Sequence, residues 1–302
     1  MTTTIVATRK LSKRYGDRTV VDDLNLCIPE GAIYGFLGPN GSGKSTTMKM
    51  LLSLVQPSGG EVEVMGRPMN RATRGEQLRR IGSLIESPPG YGHLTGRENM
   101  RIVQRILDLN DHQIEAAIAA VRMRGQMDKK VRDYSLGMKQ RLGIAMALAR
   151  QPKLLILDEP TNGLDPAGIE EVRELLRRLA DDGVTVMVSS HLLGEIDKIA
   201  TMLGILSGGR MIFQGTRDEL FSAATPDVLI RCSDPRRTSE LVAGGGRSAV
   251  DRDVVRVSGI ADRPVADVVA SLVGEGISIY EVRREEQTLE QVFMRLTEGG
   301  GL

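Results

Sequence analysis

The sequence predicts an α/β protein whose main domain has a largely parallel sheet covered by helices, followed by a small α+β domain. Three observations support this fold class. Strand-like apolar runs alternate with helical patterns between Lys153 and Gly209, and such alternation is typical of a parallel sheet. A glycine-rich turn, Gly38–Thr46, joins a strand-like run to a helical one. The pattern breaks near residues 220–227, where a second series of elements begins.

The first part of the chain contains short β-like runs. They lie between Ile5 and Leu37 and are separated by turn residues, so we predict a small antiparallel layer here. From Thr95 to Arg150 apolar residues recur at three- and four-residue spacing, which predicts helices. We therefore expect a main domain over residues 1–220, with a helical subdomain over about residues 87–152. Residues 221–302 alternate strand and helix patterns and are expected to form a separate α+β domain.

Composition excludes several classes of protein. The 302 residues are 41% hydrophobic and 26% charged, with a net charge of only +1, so the basic footprint of a nucleic-acid-binding protein is absent. Cys27 and Cys232 lie far apart, which argues against a disulfide framework or a zinc site and favours a reducing cytoplasm. No apolar segment reaches the ~20 residues that cross a bilayer. If the protein drives membrane transport, another chain must supply the channel.

The glycine-rich turn reads GPNGSGKST and matches the spacing G-x-x-x-x-G-K-[ST]. Glycines at these positions let backbone N–H groups converge on phosphate oxygens. Lys44 would neutralise the terminal phosphates, and Ser45 would be a ligand of Mg²⁺. A strand-like run directly before and a helical run directly after supply the context that this motif needs. The predicted ATP-binding residues of the turn are Gly38, Pro39, Asn40, Gly41, Ser42, Gly43, Lys44, Ser45 and Thr46.

Two adjacent carboxylates, Asp158 and Glu159, follow the apolar run LLIL. The carboxyl ends of parallel strands line the crevice that binds ligands in open α/β folds. Alternation along the strand lets the two side chains differ in role. We expect Asp158 to hold Mg²⁺ and Glu159 to polarise the attacking water. An isolated pair of this kind would more often be a solvated strand end, and the phosphate-binding turn decides against that alternative.

Ser135-Leu136-Gly137-Met138 lies between these two motifs and resembles the signature loop of ABC ATPases, usually LSGGQ. Ser135 could equally be the N-cap of the helix that follows, and the two interpretations are compatible because a helix N-terminus favours anions. The resemblance implies that this loop reaches across a dimer to the γ-phosphate bound by the other subunit. One protomer would then contain half of each site.

Three further residues match the order of motifs in this family over about the first 215 residues. Tyr15 resembles the aromatic residue that stacks on adenine, although a lone aromatic is more often a core residue. Asp165, in Gly163-Leu164-Asp165, resembles the loop that joins the two sites of the dimer. His191 resembles the switch histidine that contacts the γ-phosphate, although a lone histidine after a strand is usually a surface residue.

The chain departs from the family pattern at Glu86, where the family usually has glutamine. A carboxylate there could be an additional Mg²⁺ ligand or could orient water, but it also adds negative charge beside the phosphates. The signature loop departs as well, since Leu136 and Met138 add bulk. With the C-terminal segment TLEQVFMRL, these departures resemble the ATPase subunits of bacitracin and lantibiotic resistance or immunity transporters.

The resemblance implies a P-loop ATPase that uses ATP and Mg²⁺, with Glu159, His191 and Lys44 as catalytic residues. It implies an exporter of a peptide antibiotic or similar amphipathic compound, attached to the inner face of the cell membrane. Its expected partners are integral membrane permease subunits and a second copy of itself, without nucleic acid. The C-terminal domain is expected to be regulatory or to stabilise the dimer.

Two alternatives come from other functional classes. Soluble ABC proteins that act on ribosomes carry two cassettes in one chain, and those that act on DNA insert a long coiled coil before the signature. Neither suits one cassette with a short interval between Thr46 and Ser135. A chain that binds ATP without useful turnover is the second alternative, and the departures at Glu86 and in the signature loop motivate it.

Overall fold

The computed structural model describes residues 3–86, 88–190, 193–223, 227–242, 247–258, 262–285 and 288–298. The chain separates into two units, Met1–Arg217 and Asp218–Leu302. Each unit has a cluster of buried apolar side chains of its own. Of the described helices, none combines the length and the apolar character that a bilayer crossing requires.

The elements of the first unit have the following bounds. The strands are β1 (Thr4–Tyr15), β2 (Arg18–Leu24), β3 (Cys27–Pro29), β4 (Ile33–Leu37), β5 (Gly59–Val64), β6 (Arg67–Pro68), β7 (Ile81–Leu84), β8 (Leu154–Asp158), β9 (Thr185–Ser190), β10 (Met202–Ser207) and β11 (Arg210–Gly215). The helices are α1 (Lys44–Leu51), α2 (Arg74–Gln77), α3 (Gly96–Leu107), α4 (Asp111–Ala120), α5 (Leu136–Leu148), α6 (Pro166–Asp181) and α7 (Leu193–Asp197). Helix α8 (Arg217–Ala223) begins at the last residue of this unit and continues into the second.

A six-stranded sheet, in the order β11-β10-β4-β9-β8-β7, forms the centre of this unit. All of its described strand pairs are parallel except β10 with β11. The parallel order brings the carboxyl ends of β4, β8 and β9 to one edge. The end of β4 leads into Gly38–Thr46, and the end of β8 carries Asp158 and Glu159. The sheet therefore brings the two predicted motifs to the same side of the protein.

A second sheet is antiparallel, in the order β2-β1-β5-β6, with β3 also paired to β1. The expectation that all β-like runs between Ile5 and Leu37 form this layer is wrong for β4, which lies in the parallel sheet. All five residues of β4 are buried, because a parallel strand is covered on both faces. The edge strand β11 was not predicted, since its residues are mostly half-buried and follow the turn Gly208–Gly209.

The core of the first unit lies between the antiparallel sheet, α1 and the parallel sheet. Its largest fully buried side chains come from all three elements. They include Leu11, Leu24, Ile28, Phe36 and Met48. Burial of such side chains contributes roughly 1.5–3 kcal/mol each. Because β4 and α1 are both fixed in this core, the turn that joins them is held at both ends.

Helices α3, α4 and α5 occupy the part of the chain where a helical subdomain was expected. Thr95 begins α3 with a capping box, since its side chain accepts a hydrogen bond from the backbone N–H of Glu98 and that glutamate accepts from the backbone of Thr95. Asn110 and Gln113 form the same arrangement at α4. These caps satisfy N–H groups that the first turn of each helix cannot pair internally.

The second unit contains a four-stranded antiparallel sheet. Its elements are β12 (Val228–Cys232), α9 (Pro235–Val242), β13 (Arg247–Asp251), β14 (Val254–Ser258), α10 (Asp262–Gly274), β15 (Ile279–Arg284) and α11 (Leu289–Glu298). The strand order β13-β14-β12-β15 is that of a split β-α-β-β-α-β arrangement. Val228, Ile230, Val255 and Val257 form its buried side. Strand β13 was not predicted, because its RSAVD pattern is short and mixed in polarity.

Candidate functional site

The turn Gly38–Thr46 passes from β4 into α1 and has a conformation that requires glycine. A Cβ atom on Gly38 would lie 2.4 Å from the carbonyl oxygen of Leu206. A Cβ atom on Gly43, whose φ is 107°, would lie 2.7 Å from the carbonyl oxygen of Val20. The first N–H groups of α1 have no acceptor within the helix and carry the positive end of its dipole. The turn therefore offers backbone donors to an anion at the start of α1.

Lys44 is the first residue of α1, and it is buried with only 6% of its surface exposed. Its Nζ donates hydrogen bonds to the carbonyl oxygens of Gly38, at 2.7 Å, and Pro39, at 3.2 Å. Burial lowers the pKa of Lys44, while the carboxylates of Glu159 and Asp158 oppose this shift. The ammonium is thus satisfied by its own loop and stands beside two acidic groups.

Ser42 lies inside the same turn and is buried. Its Oγ has no hydrogen-bond partner among the described residues, although its backbone N–H donates to the carbonyl oxygen of Pro39. Buried hydroxyl groups are normally paired. An unpaired hydroxyl inside a loop of converging donors is consistent with a polar ligand that completes the turn.

Asp158 and Glu159 lie at the carboxyl end of β8, as predicted, and one neighbouring hydroxyl binds both. Ser189, the partner of Asp158 across β8 and β9, donates its Oγ hydrogen to Asp158 Oδ1 at 2.6 Å. Ser189 Oγ also accepts a hydrogen bond from the backbone N–H of Glu159 at 2.9 Å. Glu159 has a left-handed backbone, with a φ of 48°, which costs a residue other than glycine of order 1 kcal/mol. The hydrogen bond from its N–H helps to hold that conformation.

Ser189 was not among the predicted site residues. The signal for it was the polar ending of the apolar run VTVMVSS. Its role depends on β9 pairing with β8, and the sequence did not specify the order of the strands.

The phosphate-binding turn and Glu159 line one cleft of about 270 Å³. Its residues are Arg18, Val20, Asn40, Gly41, Gly43, Lys44, Ser45, Thr46 and Glu159. Arg18 and Val20 were not predicted, and both come from β2, which crosses beside the turn. None of the residues that line this cleft belongs to Ser135–Met138. A larger hollow of about 1130 Å³ contains none of the predicted site residues.

Tyr15 lies at the tip of the β1–β2 hairpin, directly opposite Arg18. Tyr15 is half exposed, at 50% of its residue surface, so the alternative that Tyr15 is a core residue is wrong. The ammonium of Lys13 lies 4.7 Å from the ring centroid and donates to the carbonyl oxygen of Gln56 at 2.8 Å. Lys13 thus lies over the ring within cation–π distance, while the Tyr15 ring is not part of the lining of the cleft.

The predicted signature loop begins α5. Ser135 is the N-cap, and its Oγ accepts a hydrogen bond from the backbone N–H of Met138 at 3.2 Å. Leu136 is 44% exposed, and its side chain packs against Gly163, where a Cβ atom would lie 2.7 Å from the Leu136 Cδ2. A Cβ atom on Gly137 would approach Leu164 to 3.5 Å. The predicted signature and dimer loops are therefore neighbours within one chain.

Asp165 begins α6 in the same manner. Its Oδ1 accepts a hydrogen bond from the backbone N–H of Gly168 at 3.2 Å, and Pro166 occupies the first helical position, where its missing N–H has no cost. The loop between Glu159 and Asp165 is closed by two turns, in which Asn162 donates to the carbonyl oxygen of Glu159 and Leu164 to that of Thr161.

Glu86 follows β7 and forms an ion pair with Lys49 of α1. Its φ of 67° is left-handed, and Glu86 is not among the residues that line the cleft. His191 lies outside the described residues, directly after the end of β9 at Ser190.

The donor set suits a nucleotide and a small hard cation. Mg²⁺ prefers oxygen ligands and is commonly bound by one or two protein groups together with substrate phosphates and water. Ser45 offers a hydroxyl at the start of α1, and Asp158 offers a buried carboxylate fixed by Ser189. In the described part of the chain no three His, Cys, Asp or Glu side chains converge.

Comparison with known proteins gives consistent matches. Residues 21–162 match the ABC transporter family. The bacitracin transport ATP-binding protein BcrA of Enterococcus faecalis is 36% identical over 99% of this chain and 98% of its own length. The lantibiotic transport ATP-binding protein SrtF of Streptococcus pyogenes is 44% identical over 70% of this chain and 90% of its own length. The structure of cbiO1 from Clostridium perfringens, described as part of the ABC transporter complex cbiONQ, superposes with a TM-score of 0.67 at 27% identity and covers 72% of this chain and 91% of that one.

Proposed function

Since the chain belongs to the ABC transporter family and is one of its ATP-hydrolysing subunits, we propose that it powers the export of a peptide antibiotic or a similar amphipathic compound. The names of its relatives, which concern bacitracin and lantibiotic transport, support this substrate class. The observation that carries the ATP-dependent part of this proposal is that the phosphate-binding turn and Glu159 line one cleft.

We propose the following roles for residues in and around the cleft. The backbone donors of Gly38–Thr46 and the ammonium of Lys44 bind the phosphates and offset their negative charge. Glu159, at the wall of the cleft, polarises the attacking water and accepts its proton. Ser45 and Asp158 would hold Mg²⁺, with Glu86 as an additional candidate, and that ion supplies further charge neutralisation at the phosphates. Tyr15, on the hairpin beside Arg18, is proposed to stack on adenine, and His191 is proposed to contact the γ-phosphate.

The site is completed by a second copy of the chain. The signature loop lies at the beginning of α5, a helix N-terminus that favours anions. Its first two residues, Ser135 and Leu136, are exposed, whereas Gly137 and Met138 are half-buried. No residue of this loop lines the cleft of its own chain. We propose that this loop closes over ATP bound by the partner, with Asp165 in the loop that joins the two sites. Closure on ATP and release after hydrolysis then move the membrane permease subunits at the inner face of the membrane. The second unit would stabilise this dimer or regulate it.

The test separates ATP turnover from substrate choice. The chain is expressed with the membrane proteins that copurify with it, and its ATP hydrolysis is compared with that of Glu159→Gln. We expect the variant to bind ATP normally and to lose at least a hundredfold in kcat, because it lacks the carboxylate that accepts the proton of the attacking water. Equal rates would contradict the role of Glu159.

Export is tested in cells that carry the genes of the chain and of these membrane proteins. We expect cells with the wild-type chain to grow at higher concentrations of bacitracin or of a lantibiotic than cells with Glu159→Gln. Unchanged sensitivity to both, together with normal ATP turnover, would contradict the substrate class alone.

A further inference from the structure

Lys49 is a cation next to the cleft that no motif of the sequence analysis used. It lies in α1, four residues after Ser45, so both side chains emerge from the same face of that helix. Its ammonium forms the ion pair with Glu86, the residue that departs from the expected glutamine. The pair joins the loop after β7 to the helix that begins at the phosphate-binding turn.

The negative charge of Glu86 explains why a cation beside it would be needed. A carboxylate that approaches bound phosphates, Asp158 and Glu159 is repelled by all of them, whereas the glutamine usual at this position is neutral. The Lys49 side chain is only 29% exposed, so solvent and salt screen its charge less than that of a free surface lysine. A lysine on the same helix as Ser45 can offset the added charge locally.

The backbone at Glu86 needs support as well. Its left-handed φ of 67° is unfavourable for glutamate and persists where neighbouring groups hold it. The side chain of Glu86 is 66% exposed, and its ion pair with Lys49 ties it to α1.

We propose that Lys49 is a positioning residue for Glu86: it holds the carboxylate against α1, so that the loop after β7 is placed for its role in turnover despite its negative charge. This inference rests on the proposed nucleotide site. Lys49 touches neither ATP nor the attacking water and acts only through Glu86. Glu86 and Lys49 therefore behave as one unit, and removal of either partner has the same effect on the loop.

The first measurement uses the full chain without nucleotide. Hydrogen exchange in the segment 81–94 is compared among wild type, Lys49→Gln, Glu86→Gln and the double variant. We expect each single variant to raise the hydrogen-exchange rate of this segment at least threefold. The double variant should show the same rate as the single variants, because the same interaction is lost in all three. Lys49→Arg, which retains the charge, is expected to restore wild-type exchange. Lys153→Gln, which removes an exposed charge just before β8, is the matched control and should not change it.

The second measurement separates positioning from simple charge. We expect Lys49→Gln to lower the kcat of basal ATP hydrolysis at least threefold and to change the dissociation constant of ATP less than twofold, with no effect in the Glu86→Gln background. If Lys49→Gln weakened ATP binding by the same factor in the wild-type and the Glu86→Gln backgrounds, Lys49 would act on phosphate directly. The inference would then be wrong. It would also be wrong if Lys49→Gln behaved like Lys153→Gln in both measurements.

Failure of the proposed function has a different signature. If the wild-type chain binds no ATP, or hydrolyses it no faster than Glu159→Gln, the nucleotide site itself is wrong. The exchange measurement needs no nucleotide, so it still decides whether Lys49 holds Glu86.

Discussion

Ser189 ties the two acidic residues of the site together through a single oxygen atom. Its hydroxyl donates to Asp158 and accepts from the backbone of Glu159, so the orientation of both residues depends on it. The hydrogen bond to Asp158 is between a hydroxyl and a carboxylate, a kind that contributes ~1.5–3 kcal/mol. A small side chain on a neighbouring strand thus helps to place the two residues that are proposed to hold Mg²⁺ and to polarise water.

Removal of this hydroxyl is therefore expected to affect turnover. In Ser189→Ala we expect the kcat of ATP hydrolysis to fall about tenfold, since a loss of ~1.4 kcal/mol corresponds to that factor. ATP affinity, measured by equilibrium binding, should change much less. Thr185→Val is the control, because Thr185 lies at the other end of β9 and accepts a hydrogen bond from the N–H of Gly31. If the two variants lose the same kcat, Ser189 has only a structural role.

How far the sequence predicted the site depended on where its residues lie in the chain. The turn Gly38–Thr46 could be predicted because its residues are contiguous and their spacing carries the chemistry. Asp158 and Glu159 could be placed at a strand end for the same reason. Ser189, Arg18 and the pairing of Lys49 with Glu86 could not, because these contacts join separate elements.

At the scale of elements, the beginning of α5 combines two properties in one residue. Ser135 caps the helix, and it is also proposed to reach the γ-phosphate bound by the partner. The sequence predicted both, and the structure shows the capping hydrogen bond. Leu136 follows, and its bulk is accommodated because Gly163 has no side chain.

Substitutions that keep or remove the cap separate these properties. Ser135→Ala should lower the free energy of unfolding by ~1 kcal/mol, whereas Ser135→Asn retains a capping acceptor and should leave stability nearly unchanged. We expect both to reduce ATP turnover at least tenfold, because neither presents the serine hydroxyl to the partner's nucleotide. Thr95→Ala, which removes the cap of α3, should cost similar stability without that loss of turnover. Normal turnover in Ser135→Asn would leave Ser135 as a helix cap alone.

At the scale of the whole molecule, the fold class was predictable and the strand order was not. Alternating strand and helix patterns identify a parallel sheet. The placement of β4 was missed because a short apolar run does not distinguish a covered parallel strand from one in an antiparallel layer. In the second unit the predicted strands and helices are present, and β13 adds to them. The sequence did not give their pairing into a four-stranded sheet.

The proposed dimer gives a prediction about assembly. Glu159→Gln should shift from monomer to dimer when ATP is added, because nucleotide is retained between the two copies, and ADP should not cause the shift. The measurement is sedimentation or light scattering over a range of protein concentration.

A chain that ends after Gly215 should need several-fold more protein to dimerise if the second unit stabilises the dimer. If the shortened and the full-length chain dimerised at the same protein concentration, that role would be contradicted.

The two carbonyl oxygens that hold the ammonium of Lys44 have a consequence for ligand discrimination. They accept two of the three hydrogen bonds that the ammonium can donate, so one N–H is left for an incoming anion. A single phosphate can use that donor and the backbone N–H groups at the start of α1, whereas a chain of phosphates places several adjacent oxygens against them at once. We therefore expect the turn to bind polyphosphates in preference to monophosphates and inorganic phosphate.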